Sequence, residues 1–191
     1  MRALVWGLVL LLTACVPVAM LRPPEPARGL EASLGVSLFA NPFASGNRDP
    51  VLPLPYLAVA VGDGGLEFNF SVQWGLRGGV KLGLGPGLAL DAGLTVPPLF
   101  GPDWSQGVPV VLDGGAILGG DGFYFSPRVH LIRVPTPSGG SWEWAWQPAW
   151  QASLGTYRRD WVAEVGALGR FGGNGSLLIH LSAAWRFGTA P

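Results

Sequence analysis

Two histidines, His130 and His180, are the natural acid–base groups of this 191-residue chain. His130 follows Ser126 and Arg128 at alternate positions, and His180 stands between Ser176 and Ser182. Hydrolytic chemistry would need one of these serines, a histidine and an acid brought within hydrogen-bond reach of one another. Neither histidine lies in a recognisable nucleophile or metal motif. There is no GxSxG, CxxC, HExxH or P-loop, and the GLGPGL stretch at 83–88 reads as a turn between strands. No metal or cofactor is implied, and a lipid-modifying hydrolase with a site at one rim is kept only as an alternative function.

The remaining chemistry is charge, and it recurs at alternate positions. Glu31, Glu67, Asp91, Asp113, Glu143 and Glu164 share strand faces with small or polar residues, as do Arg77, Lys81, Arg128, Arg170 and Arg186, with His130 and His180 close by. Interleaved are Asn69, Gln73, Gln147, Gln151 and many glycines, among them Gly35, Gly79, Gly83, Gly93 and Gly155. Acids and bases among small residues suit a narrow lumen, where an unpaired charge is costly and pairing is therefore expected.

Such faces require strands. The stretch LEFNFSVQW, 66–74, sets Leu66, Phe68, Phe70, Val72 and Trp74 against Glu67, Asn69, Ser71 and Gln73, the period of two of a β-strand. Ten segments alternate in this way: 30–39, 55–62, 66–74, 76–84, 88–96, 108–118, 123–133, 142–155, 161–171 and 176–187. The expectation is all-β, an antiparallel up-and-down membrane β-barrel of about 8–10 strands. Pro148 is expected at a bulge or kink in the eighth segment. Connections roughly alternate in kind: 40–54, 97–107 and 134–141 are long, whereas 63–65, 85–87, 119–122 and 156–160 are short; the third and ninth, near Gly75 and at 172–175, break the pattern by being short on the outer side. Long outer loops and short inner turns are what membrane barrels show.

Which face meets water follows from composition. Charged residues are 13% of the chain, about half the usual share of a soluble domain, and the mean hydropathy is +0.36. The second face is Leu, Val, Phe and Ala, with Trp74, Trp142, Trp144, Trp161 and Trp185 near segment ends, where indoles sit at lipid headgroups. That pattern turns the apolar face to lipid. The competing arrangement, a soluble lipocalin-like barrel with an apolar lumen for an apolar ligand, would bury the same residues.

On these residues the stretch 30–187 resembles the small bacterial outer-membrane β-barrels of the OmpA, OmpX and OmpW kind. Its last strand, with Leu181, Ala183, Trp185 and Phe187, is similar to their aromatic-ending insertion signal, although Gly188 to Pro191 follow it. The resemblance implies location in the cell outer membrane, membrane lipid as partner, and a structural envelope role or a narrow, largely plugged channel. Contacts with a ligand or partner would fall on the outer loops.

The start of the chain adds an expectation of its own. MRALVWGLVLLLTAC has a signal-like apolar run ending in Leu12-Thr13-Ala14-Cys15, which resembles the lipobox of bacterial lipoproteins. Residues 1–14 are read as a signal peptide, Cys15 as the site of lipidation, 15–29 as a proline-rich tether and 30–191 as the barrel. Cys15 is the sole cysteine, so no disulfide can form within one copy. The net charge is zero with no basic cluster, which excludes nucleic acid as a partner.

Overall fold

The computed structural model describes residues 19–41, 51–73, 75–96, 108–138, 141–171 and 177–188. Cys15, Trp74 and most of the long outer connections lie outside these. The strands are β1 (Arg28–Ala40), β2 (Leu52–Asp63), β3 (Leu66–Val72), β4 (Leu76–Gly85), β5 (Leu88–Val96), β6 (Val110–Gly120), β7 (Phe123–Ser138), β8 (Ser141–Tyr157), β9 (Trp161–Arg170) and β10 (Leu178–Gly188). Each pairs antiparallel with its sequence neighbours, and β1 closes on β10 from Glu31↔Gly188 to Ala40↔Ile179. The chain is thus an up-and-down closed barrel of ten strands.

Local chemistry explains the tight inner turns. Between β6 and β7, Asp121 and Gly122 both take positive φ, 54° and 86°, the twist that a two-residue hairpin needs. Between β4 and β5, Pro86 is followed by Gly87 at φ 71°, a pairing in which proline presets the first corner and glycine accepts the second. Following paired residues around the wall gives Gly29, Gly62, Glu67, Lys81, Asp91, Gly115, Arg128, Gln151, Leu168 and Leu178. Leu178 returns to β1 beside Ala40, at the opposite end from Gly29. The strands are therefore steeply inclined, as closure requires.

Two expectations about proline are corrected. Of the stretch 134–141, read as an outer loop, residues 134–138 and 141 are strand: β7 and β8 pair without a break from Phe123↔Thr156 to Ser138↔Ser141. β6 stops at Val110↔Arg133 and β9 at Ala149↔Arg170, so this hairpin rises beyond both neighbours. Pro135 and Pro137 have the parity of Pro127, beside which β6–β7 pairing lapses. Their missing N–H groups therefore face the side where β6 has ended, and proline is tolerated at such an edge. Pro148 likewise makes no bulge. It pairs with Leu131 at the level where β9 ends, and its carbonyl accepts the N–H of Phe171.

The wall has two unlike faces. Leu34, Phe68, Phe70, Leu94, Leu154 and Leu181 point outward and are exposed, whereas Glu67, Asn69, Ser71, Arg77, Asp91 and Ser182 point inward and are buried. Polar groups inside and bare apolar groups outside reverse the order of a soluble domain. The lipocalin-like arrangement is overturned by this burial pattern.

Candidate functional site: the filled lumen

The centre of the lumen is a ring of two arginines and two aspartates. Arg77 donates through Nε and Nη2 to the two oxygens of Asp113, at 2.9 and 2.8 Å, and through Nη2 to Asp91 at 3.2 Å. Arg128 donates to Asp113 at 2.6 Å and closes the ring on Asp91. Each acid thus meets both bases, the four charges cancel, and their side chains are all but fully buried. Arg77 spends its remaining terminal nitrogen on Asn69 Oδ1, 2.7 Å away. Planar guanidinium forks suit this use because they grip two carboxylates at once.

The inward glycines make room for these long side chains. A Cβ on Gly79 or Gly93 would strike the Arg77 guanidinium, one on Gly115 the stem of Arg128, and one on Gly155 the ring of Tyr124. Glycine and long polar residue are thus two halves of one packing unit across neighbouring strands. By contrast Gly78 and Gly114, at outward positions, have open space where a Cβ would go.

A second polar group lies on β7 to β10. Tyr124 donates to Glu164 Oε2 at 2.7 Å, His130 Nε2 meets Gln151 Oε1 at 2.9 Å, and His180 meets Ser182 Oγ at 3.2 Å and Ser153 Oγ at 3.4 Å. Glu164 Oε1 is 3.7 Å from His180 Nε2. Serine, histidine and acid do converge, but mid-lumen: His130, Glu164 and His180 are buried and none reaches a rim. A hydrolase needs a substrate within reach of its nucleophile, and Ser153 and Ser182, the serines beside His180, are as buried as the histidines.

The inner half of the lumen is occupied by the chain's own residues 19–27. Arg22 pairs with Glu67, whose second oxygen also takes Lys81 Nζ at 2.8 Å and the Ala27 N–H at 2.8 Å. Lys81 donates further to the carbonyls of Pro23 and Glu25, at 3.1 and 2.9 Å. Tyr56 donates to the Met20 carbonyl at 2.8 Å, and the Ala19 N–H reaches Gln73 Oε1 at 3.3 Å. Ala19 and Leu21 pack with Tyr56, Ala58, Ala89, Ile117, Tyr124, Val162 and Ala184. The segment expected to stand off the barrel as a tether is, over these residues, a plug. Prolines keep it extended and deprive it of N–H groups that would otherwise need partners in a buried place.

Of the charged residues read from sequence, Glu67, Arg77, Lys81, Asp91, Asp113, Arg128, His130, Glu164 and His180 lie together inside. Glu31 and Arg186 form a separate pair, 2.7 Å apart and partly exposed, at the inner end of the β1–β10 seam. Glu143 is corrected: it sits exposed on the projecting part of the β7–β8 hairpin, above the charged lumen, because the strand runs past its neighbours there. The lumen is not polar throughout: Val111, Ile132, Val134, Ala149 and Leu168 form a buried apolar cluster toward the outer end. Trp161 and Trp185 pair across strands at the inner rim with Trp185 exposed, and Trp144 lies half-buried near the other end. Trp142 belongs to β8, but its side chain is outside the description.

Sequence reasoning missed Arg22, Tyr56 and Tyr124. Arg22 stands in a stretch without a period. For Tyr56 a signal existed: Tyr56, Ala58 and Ala60 form a small-residue face opposite Leu57, Val59 and Val61.

No known family and no curated protein matches this sequence. Among solved structures, the N-terminal β-barrel domain of Pseudomonas aeruginosa OprF aligns at 12% identity and a TM-score of 0.34, covering 85% of this chain and 99% of that one. Ail, the attachment invasion locus protein of Yersinia pestis, aligns at 13% identity and the same TM-score, covering 84% of this chain and 100% of that one. At such values the likeness carries no functional argument, and the function rests on the chain's own geometry.

Proposed function

We propose that this protein is a bacterial outer-membrane barrel that is closed to solutes at rest and acts as a structural element of the envelope, with Cys15 as an acylated N-terminus. The observation that carries the reading is the inversion of polarity: a bare apolar wall outside, and inside it a charge-balanced network sealed by residues 19–27. An outward belt of Leu, Val and Phe is stable only against hydrocarbon, and a barrel with every strand paired is one of the two structures that can cross it. A matched lumen with a plug does not pass ions, since an open porin needs many more strands and free volume.

Planar-bilayer recording of the purified protein tests it. The expected result is no large, stable conductance from a barrel that is heat-modifiable on gels. Sustained open channels of porin size would overturn the closed reading, and failure to partition into detergent or lipid would overturn the membrane reading. Intact mass checks the acylation: the mature chain should begin at Cys15 with added lipid.

A further inference from the structure

We propose that the outward face of the β7–β8 hairpin, centred on Arg133, binds the phosphate of an outer-leaflet lipid headgroup; this rests on the membrane reading above. Among the described residues, Arg133 is the one charged strand side chain that points outward on the outer half of the barrel, and it is exposed. Its guanidinium lies 5.0 Å from the ring centre of Trp144, and its cross-strand partner is Trp146, which is 51% exposed. Trp150 stands one turn of the pleat below Pro148 on the same face.

The contrast with the lumen defines the ligand. Arg22, Arg77 and Arg128 each meet a carboxylate inside the barrel, and Arg186 meets Glu31 at the rim. Arg133 has an indole beneath it and no ion pair among the described residues. An indole holds a guanidinium by its face and leaves the N–H fork free for an anion.

Height supplies the rest. At about 3.4 Å per residue along a strand inclined about 40°, Trp146 stands roughly 30 Å above the Trp161–Trp185 pair. The apolar band of such a barrel is about 25 Å tall, so Arg133 and Trp146 lie just beyond it, where phosphates are. The face is continuous with the lipid-facing wall through Leu131 and Val129. Its occupant is therefore an anionic lipid headgroup, with its chains lying down the wall and its phosphate on Arg133.

The test uses the full chain in phosphatidylcholine vesicles holding a minor share of phosphatidic acid as probe. Insertion is scored first, by protection of the strands from protease. The lipids retained by the released barrel are then counted by native mass spectrometry. Wild type should retain phosphatidic acid well above its share; Arg133→Gln should lower that preference roughly tenfold, the weight of one charge-assisted contact. Arg133→Lys should fall between the two, and Trp146→Ala should weaken retention with insertion unchanged. Equal preference in wild type and Arg133→Gln, with both inserted, would overturn the site and leave the membrane reading standing. Failure of wild type to insert would overturn both.

Discussion

Removing the Glu67 carboxylate should unseat the plug while leaving the barrel closed. Glu67 is the acid that pairs with Arg22 of this segment, and it serves Arg22, Lys81 and the Ala27 N–H together. In Glu67→Ala, Arg22 and Lys81 are left as neighbouring like charges, and Lys81 keeps only the carbonyls of Pro23 and Glu25. Breaking a buried pair on one side costs roughly 3–5 kcal/mol. If that cost falls mainly on the seated state, the opening equilibrium rises by about two to three and a half orders of magnitude. Arg22→Ala should do less, because Glu67 retains Lys81. The assay is maleimide labelling of Ala19→Cys in a Cys15→Ser background, since Ala19 is buried in the seated plug. Glu67→Ala should label at least about a hundredfold faster than its parent. A rate within about threefold of the parent, from a barrel that still shows heat-modifiable mobility, would refute the idea that this carboxylate holds the plug; so would a larger effect from Arg22→Ala.

Other consequences follow from the packing and the turns. Gly155→Ala puts a methyl into the Tyr124 ring and should cost about 1–3 kcal/mol in urea unfolding, whereas Gly78→Ala, which meets nothing within 4 Å, should cost nothing measurable. Phe70→Arg sets a charge on the lipid face and should lower barrel stability in bilayers by about 2–4 kcal/mol near the midplane, read by unfolding in lipid vesicles. At the β2–β3 turn, the N–H groups of Leu66 and Gly65 donate to Asp63, each at 2.8 Å, and hold its carboxyl below the usual range. A depressed value means this contribution is present above about pH 4 and lost as pH falls through the lower folded value. Amide exchange at Gly65 and Leu66 should therefore speed up in acid, and Asp63→Asn should remove that dependence.

The wall was legible because its code is local: LEFNFSVQW states its two faces within nine residues, and the Asp121–Gly122 turn states its own geometry. What escaped depends on partners distant in sequence. Arg22 meets Glu67 across 45 residues, and nothing near it marks a plug rather than a spacer. Pro135 and Pro137 read as loop because proline breaks a central strand, yet here the neighbouring strand has already ended, a fact about β6 that the β7 sequence does not carry. Glu143 shows the reverse case. Its alternation is that of a lumen residue, and only the relative lengths of β8 and β9 place it above the barrel.

The plug is joined to the wall by almost no linker: Ala27 is bound to Glu67 in the lumen, and by Gly29, at φ 81°, the chain has become β1. Such a short covalent link gives the plug an effective concentration at its seat in the millimolar range or above. A free peptide of the same sequence would have to approach that concentration to compete, so dilution does not empty the lumen. Whatever opens this barrel must pull on the segment or weaken its seat, and concentration alone will not suffice.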